Sequence, residues 1–200
     1  MIIKVDKNPY GEKKNLYKYT EVDFPTGLTV LVGKNGSGKT TLIDYINRQC
    51  EKENITVIKY NDYLDGGGYS MDRALYNDNI QMLASLVMSS EGQKISINIG
   101  NTIQTIGRTV HHAKEGSKIV ILLDAVDSGL SIDTIVEVKD VFNLIIDDAS
   151  KKNIEVFIIV SANGYEFPNG SRCLNVTTGK FVTFANYDEY KKFILKGKTT

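Results

Sequence analysis

The sequence predicts an α/β fold, a mostly parallel sheet with helices on both faces, and three observations lead there. Residues 30–32, 119–123 and 156–160 are near-continuous apolar runs with the length and β-branched content of strands buried on both sides. The stretches between them are longer and carry apolar residues at helical spacing. A glycine-rich octapeptide, Gly33-Lys34-Asn35-Gly36-Ser37-Gly38-Lys39-Thr40, stands where such a strand gives way to such a helix.

The elements follow in order. Residues 2–5 and 16–22 read as strands, the second from its β-type alternation, and the strand at 30–32 enters the glycine-rich loop. A helix begins near Thr41, with Leu42, Ile43 and Ile46 on one face, and residues 55–60 form the next strand. Asp65-Gly66-Gly67-Gly68 reads as a loop, because three adjacent glycines lose too much backbone entropy to persist in a regular element. Helices are expected from about 71 to 87 and from about 93 to 113; the latter is β-branched, yet too long for a strand. Residues 118–123 form a buried strand ending at Asp124, and Ser131 is placed to cap a helix running to about 150. After the strand at 156–160, residues 173–176 and 181–184 suit a hairpin around Thr178-Gly179, and a short helix starts near Asp188.

Two hundred residues suit one compact domain spanning 1–200, large enough to bury a core without staples. Twenty-four basic and 24 acidic residues balance, so no global field draws the chain to nucleic acid or an acidic membrane; such a partner needs a local patch. The two cysteines, Cys50 and Cys173, have neither metal-ligand spacing nor a disulfide framework. With no stretch long enough to cross a membrane and no signal-peptide pattern at the start, a soluble cytoplasmic protein is expected.

The octapeptide has the pattern and context of a P-loop. Its glycines let successive N–H groups turn inward as an anion nest, and the following helix directs its positive end at the same phosphates. Lys39 is then placed to reach the β- and γ-phosphates and the Thr40 hydroxyl to meet Mg²⁺, with Thr41 beside it. Asp124, at the end of an apolar strand, is the second candidate for Mg²⁺. Taken alone, an Asp there also reads as a turn former.

The P-loop, the segment Ser89-Ser90-Glu91-Gly92-Gln93 opening a helix, the strand ending at Asp124, and Asp127-Ser128-Gly129-Leu130-Ser131 occur in the order found in ATP-binding-cassette (ABC) ATPases. The chain resembles that family over most of its length. The resemblance implies a P-loop fold with an N-terminal antiparallel β-subdomain, ATP and Mg²⁺ as cofactors, and an ATP-dependent homodimer. In such a dimer the signature segment of one subunit closes over the γ-phosphate held by the other. Carried over, the Ser90 hydroxyl and the Gly92 N–H, flanked by Glu91 and Gln93, face the partner's nucleotide from a helix N-terminus. The same five residues also read as an ordinary capped helix start. The short distance from P-loop to signature, and the lack of a coiled-coil insertion, resemble small ATPases of bacteria and their phages rather than transporter or chromosome-maintenance members.

Departures from the family pattern bear on hydrolysis. Ala125 occupies the place of the glutamate that polarises water, and alanine cannot act as a base. Asp127 is the nearest carboxylate that could substitute, although its position resembles the loop that crosses the dimer interface. Ser161-Ala162-Asn163-Gly164 replaces the histidine segment; Asn163 can donate a hydrogen bond but carries no charge, and it also reads as a turn residue. Asn61 or Asp62 could stand in for the missing glutamine. Tyr10, Tyr17 and Tyr19 are candidates to pack an adenine, and Lys13, Lys14 and Lys18 to touch a phosphate backbone. His111-His112 lack companion ligands and suit solvated surface. Two readings stay open, an ATPase whose conformational cycle is driven by hydrolysis and an ATP-gated binding module that scarcely hydrolyses. Either could serve a nucleic acid or protein client, and a transporter motor is the least favoured.

Overall fold

The structure is a computed structural model that describes residues 1–12, 14–61 and 91–196, with the backbone alone for residues 61 and 91–96. In chain order the elements are β1 (Ile2–Lys4), β2 (Glu21–Asp23), β3 (Gly27–Val32), α1 (Lys39–Lys52), β4 (Thr56–Asn61), α2 (Glu91–His112), β5 (Lys118–Asp124), α3 (Ile132–Lys151), β6 (Glu155–Ser161), β7 (Cys173–Asn175), β8 (Lys180–Val182) and α4 (Tyr187–Lys196). The main sheet has six strands in the order β4-β5-β6-β3-β7-β8. The first four of these and β7 are parallel; β8 closes the edge antiparallel to β7. A separate antiparallel pair, β1 with β2, lies over α1.

Alternation along the central strands builds two apolar layers. Ile119, Ile121 and Leu123 of β5, with Val156, Ile158 and Val160 of β6, pack under α2, α3 and α4. Val120 and Leu122, with Phe157 and Ile159, face α1 and the β1-β2 pair. Burying both faces explains why these strands read as unbroken apolar runs, since each such side chain contributes about 1.5–3 kcal/mol when removed from water. Within α2 the hydroxyls of Thr102, Thr105 and Thr109 are satisfied by the Asn98, Asn101 and Thr105 carbonyls one turn back, and the helix is held by its apolar face on the sheet.

Residues 16–20 depart from expectation: they form no ladder, and β2 starts only at Glu21. Their backbone groups bond to three separate segments. Leu16 and Tyr17 bond to the Lys7 carbonyl and Lys18 to that of Thr177, while Thr20 offers its carbonyl to Val5. The alternating pattern there records Tyr17 turning inward, not a strand in a sheet. The hairpin is present, with Gly179 in the left-handed region (φ 70°) at its turn. Ser131 takes the N-cap position of α3, yet its hydroxyl pairs with Thr134 Oγ1 at 2.8 Å and makes no capping bond to the backbone. The expected glycine loop at 65–68 and helix at 71–87 lie outside the described residues. Among the described residues no helix is long and apolar enough to cross a membrane.

Candidate functional site

The C-terminal ends of β3, β5 and β6 meet around the glycine-rich loop. Gly36 and Gly38 take φ values of 76° and 89°, the left-handed region in which a side chain is strained. At Gly38, the N-cap of α1, a Cβ would also lie 2.7 Å from Leu16 Cδ2 and 2.8 Å from the Tyr17 hydroxyl. That position admits glycine for two independent reasons.

Tyr17 supports the loop from behind. Fully buried, it donates its hydroxyl to the Gly38 carbonyl at 2.8 Å, and burial raises its pKa, so it remains a donor at neutral pH. This role was not read from the sequence; the inward turn of Tyr17 beneath the alternating segment was its only trace. Lys39 Nζ folds back to the Gly33 carbonyl at 3.1 Å. Burial holds its ammonium below the ordinary lysine value, and the carboxylates of Asp124 and Asp127 restore part of that loss. A phosphate beside it would supply the missing negative charge. Ser37 is buried, and its hydroxyl has no hydrogen-bond partner among the described residues.

Facing the loop, Asp124 ends β5 at 6 % exposure, and Ser161 ends the neighbouring strand β6. The Ser161 hydroxyl donates to Asp124 Oδ1 and accepts the Ala125 N–H at 2.9 Å. Ala125 itself is left-handed, with φ 53°. A cleft of about 380 Å³ joins both walls and is lined by residues 35–41, by Tyr10 and Leu16, and by Asp124, Ala125, Ser161 and Asn163. Thr40 and Asp124 therefore border one space and offer hard oxygen donors, which suits a small divalent cation that keeps some water and takes phosphate oxygens.

Asn163 reaches the cleft from a loop clamped on two sides. Asp127 Oδ2 accepts the N–H groups of Asn163 at 2.8 Å and of Gly164 at 2.5 Å, while Tyr190 of α4 donates its hydroxyl to the Asn163 carbonyl at 3.2 Å. Asp127 thus stands behind the loop and not in the cleft wall.

The other expected residues separate clearly. Of the three tyrosines, Tyr10 is 65 % exposed, lines the cleft and shares a 2.8 Å hydrogen bond with Thr41 Oγ1, while Tyr17 is sealed in the core and Tyr19 packs against Gly179. Glu91, Gly92 and Gln93 are helical, within α2, and Ser90 lies outside the described residues. The Asn61 backbone pairs with that of Asp124, and Asp62 is outside the described residues. His111 and His112 are exposed at the end of α2, and no group of three or more His, Cys, Asp or Glu able to hold a metal occurs among the described residues. Both cysteines are buried thiols, pushed up by burial to about 11 for Cys50 and about 12 for Cys173, so both stay protonated.

Against known proteins, a family model described as "AAA domain" matches residues 14–192. The structure resembles the ATP-binding cassette MJ0796 in its dimeric, post-hydrolysis state bound to ADP and Pi, with a TM-score of 0.53 and 9 % identity over 94 % of this chain and 100 % of that one. It also matches MJ1267, an ATP-binding cassette of an ABC transporter in its ADP conformation, with a TM-score of 0.41 and 15 % identity over 89 % and 87 % of the two chains. No curated protein matches by sequence. At such identities the likeness to MJ0796 speaks for the fold alone. The family model, spanning nearly the whole chain, speaks for descent: the protein belongs to the AAA-domain family, and its fold is that of an ATP-binding cassette.

Proposed function

We propose that the protein binds MgATP in this cleft, closes into a homodimer around the nucleotide, and hydrolyses it slowly to drive a conformational cycle. The observation that carries the reading is the convergence of Lys39, Thr40 and Asp124 on one space beside the glycine loop. In this reading the N–H groups of residues 34–39 and the start of α1 hold the phosphates, Lys39 neutralises the β- and γ-phosphates, and Thr40 with Asp124 holds Mg²⁺. The ion supplies charge neutralisation on the transferring phosphoryl group. Tyr10, the exposed aromatic at the rim, packs the adenine. Asn163 orients water or the γ-phosphate through its amide, and Asp127 acts through Asn163 by holding that loop.

A second reading has its own support. Ala125 lines the cleft directly after Asp124 and can take no proton, which favours an ATP-gated switch that clamps a protein or nucleic acid client and scarcely turns over. Calorimetric binding together with steady-state phosphate release separates the two. Both readings expect MgATP binding that Lys39→Met removes while leaving the unliganded chain at least as stable, because the folded state disfavours the charged lysine. Phosphate release above that of Lys39→Met supports the enzyme, and tight binding without it supports the switch. An unaltered chain that binds no MgATP sinks both.

A further inference from the structure

The MgATP reading leaves Ser161 unused, yet this side chain bridges two residues of the cleft, Asp124 and Ala125. It is 2 % exposed at the last position of β6, next to the strand that ends in Asp124. A hydroxyl has one proton. That proton goes to Asp124 Oδ1, while one of the two lone pairs of Ser161 Oγ takes the Ala125 N–H, so a single side chain ties the carboxylate to the backbone of the residue that follows it. A donor on one oxygen restrains how the carboxylate can turn. Two residues further along, Asn163 enters the same cleft, so one strand end holds both the carboxylate and the amide in register.

We infer that Ser161 is a positioning residue that holds Asp124 in the orientation required for the divalent cation. This rests on the reading of the cleft as a MgATP site. Groups that hydrogen-bond a metal-binding carboxylate govern how well it serves the ion without touching the ion themselves.

The test compares Ser161→Thr with Ser161→Val, side chains of equal shape that differ by the hydroxyl and both suit a strand end. Binding of a fluorescent ATP analogue is titrated with Mg²⁺, and again in EDTA. Ser161→Val is expected to raise the half-saturating Mg²⁺ concentration at least about tenfold, with binding in EDTA preserved, while Ser161→Thr behaves as the unaltered chain. A valine variant with unchanged Mg²⁺ dependence overturns the assignment, as does one that weakens binding equally with and without Mg²⁺, or a threonine variant as impaired as valine. If the unaltered chain binds the analogue in neither condition, the MgATP reading itself fails, a result distinct from any difference between the variants.

Discussion

Ala125 shows how one residue can carry two messages of different visibility. That it lacks a carboxylate is plain from its identity; that it sits at φ 53° is not, because alanine has no preference for that region. A Cβ in the left-handed conformation costs about 1–2 kcal/mol. The conformation persists because the Ala125 N–H is held by Ser161 and the turn after β5 returns through the Ser128 N–H to the Ala125 carbonyl at 3.0 Å. Glycine's extra freedom when unfolded takes back about 0.4–1 kcal/mol of that cost, so Ala125→Gly is expected to stabilise the chain by up to about 1.6 kcal/mol. Chemical denaturation would read this as a higher midpoint at unchanged slope. A lower midpoint would mean that the methyl group packs usefully and that the strain is absent.

Among the elements, the loop after β6 is where two roles for Asp127 part. Asp127 can be the base that Ala125 is not, or it can be the anchor of Asn163. Its Oδ2 already accepts two N–H groups, which argues for the anchor. Asparagine distinguishes these, since it keeps a carbonyl acceptor and gives up the base. With an anchor, Asp127→Asn keeps most of the phosphate release, whereas Asp127→Ala strands two N–H groups, lowers stability by about 1–3 kcal/mol and loses turnover. With a base, Asp127→Asn alone abolishes release at unchanged stability. Melting temperature and phosphate release on the same preparations decide it.

The same loop explains what was legible in the sequence. The central strands, the P-loop, α2 and the placement of Asp124 could be read because each depends on local pattern, on burial of both sheet faces or on glycine's access to positive φ. Tyr17 beneath Gly38, Ser161 beside Asp124 and Tyr190 on Asn163 could not. Each pairs residues 21 to 37 positions apart, brought together by strand order β5-β6-β3 and by helix docking that no local spacing encodes. Residues 16–20 misled for a related reason: tyrosines at alternate positions read as strand residues do, while the backbone groups of the stretch bond to separate segments and not to one neighbouring strand.

For the whole molecule the open question is whether the cleft is complete. One wall, from the loop to Asp124 and Asn163, belongs to this chain; in the proposed homodimer the other is the partner's copy of the segment around Ser90 and Gly92, the latter within α2. In that proposed dimer, ATP stabilises closure only by binding the closed state more tightly than the open one. Moving such an equilibrium from one per cent to 99 per cent closed takes a preference of about 10⁴-fold, or about 5.5 kcal/mol. No single new contact supplies that, so the effect must be cooperative between two nucleotides and two signature segments. Size-exclusion chromatography with light scattering should show a monomer without nucleotide that shifts toward a dimer with MgATP, more so at higher protein concentration. Ser90→Arg should remove the shift while leaving MgATP affinity of the monomer within about threefold, a difference of about 0.7 kcal/mol, because the arginine obstructs only the partner's γ-phosphate. A dimer that persists in this variant, or one that forms equally well without nucleotide, would contradict the shared site.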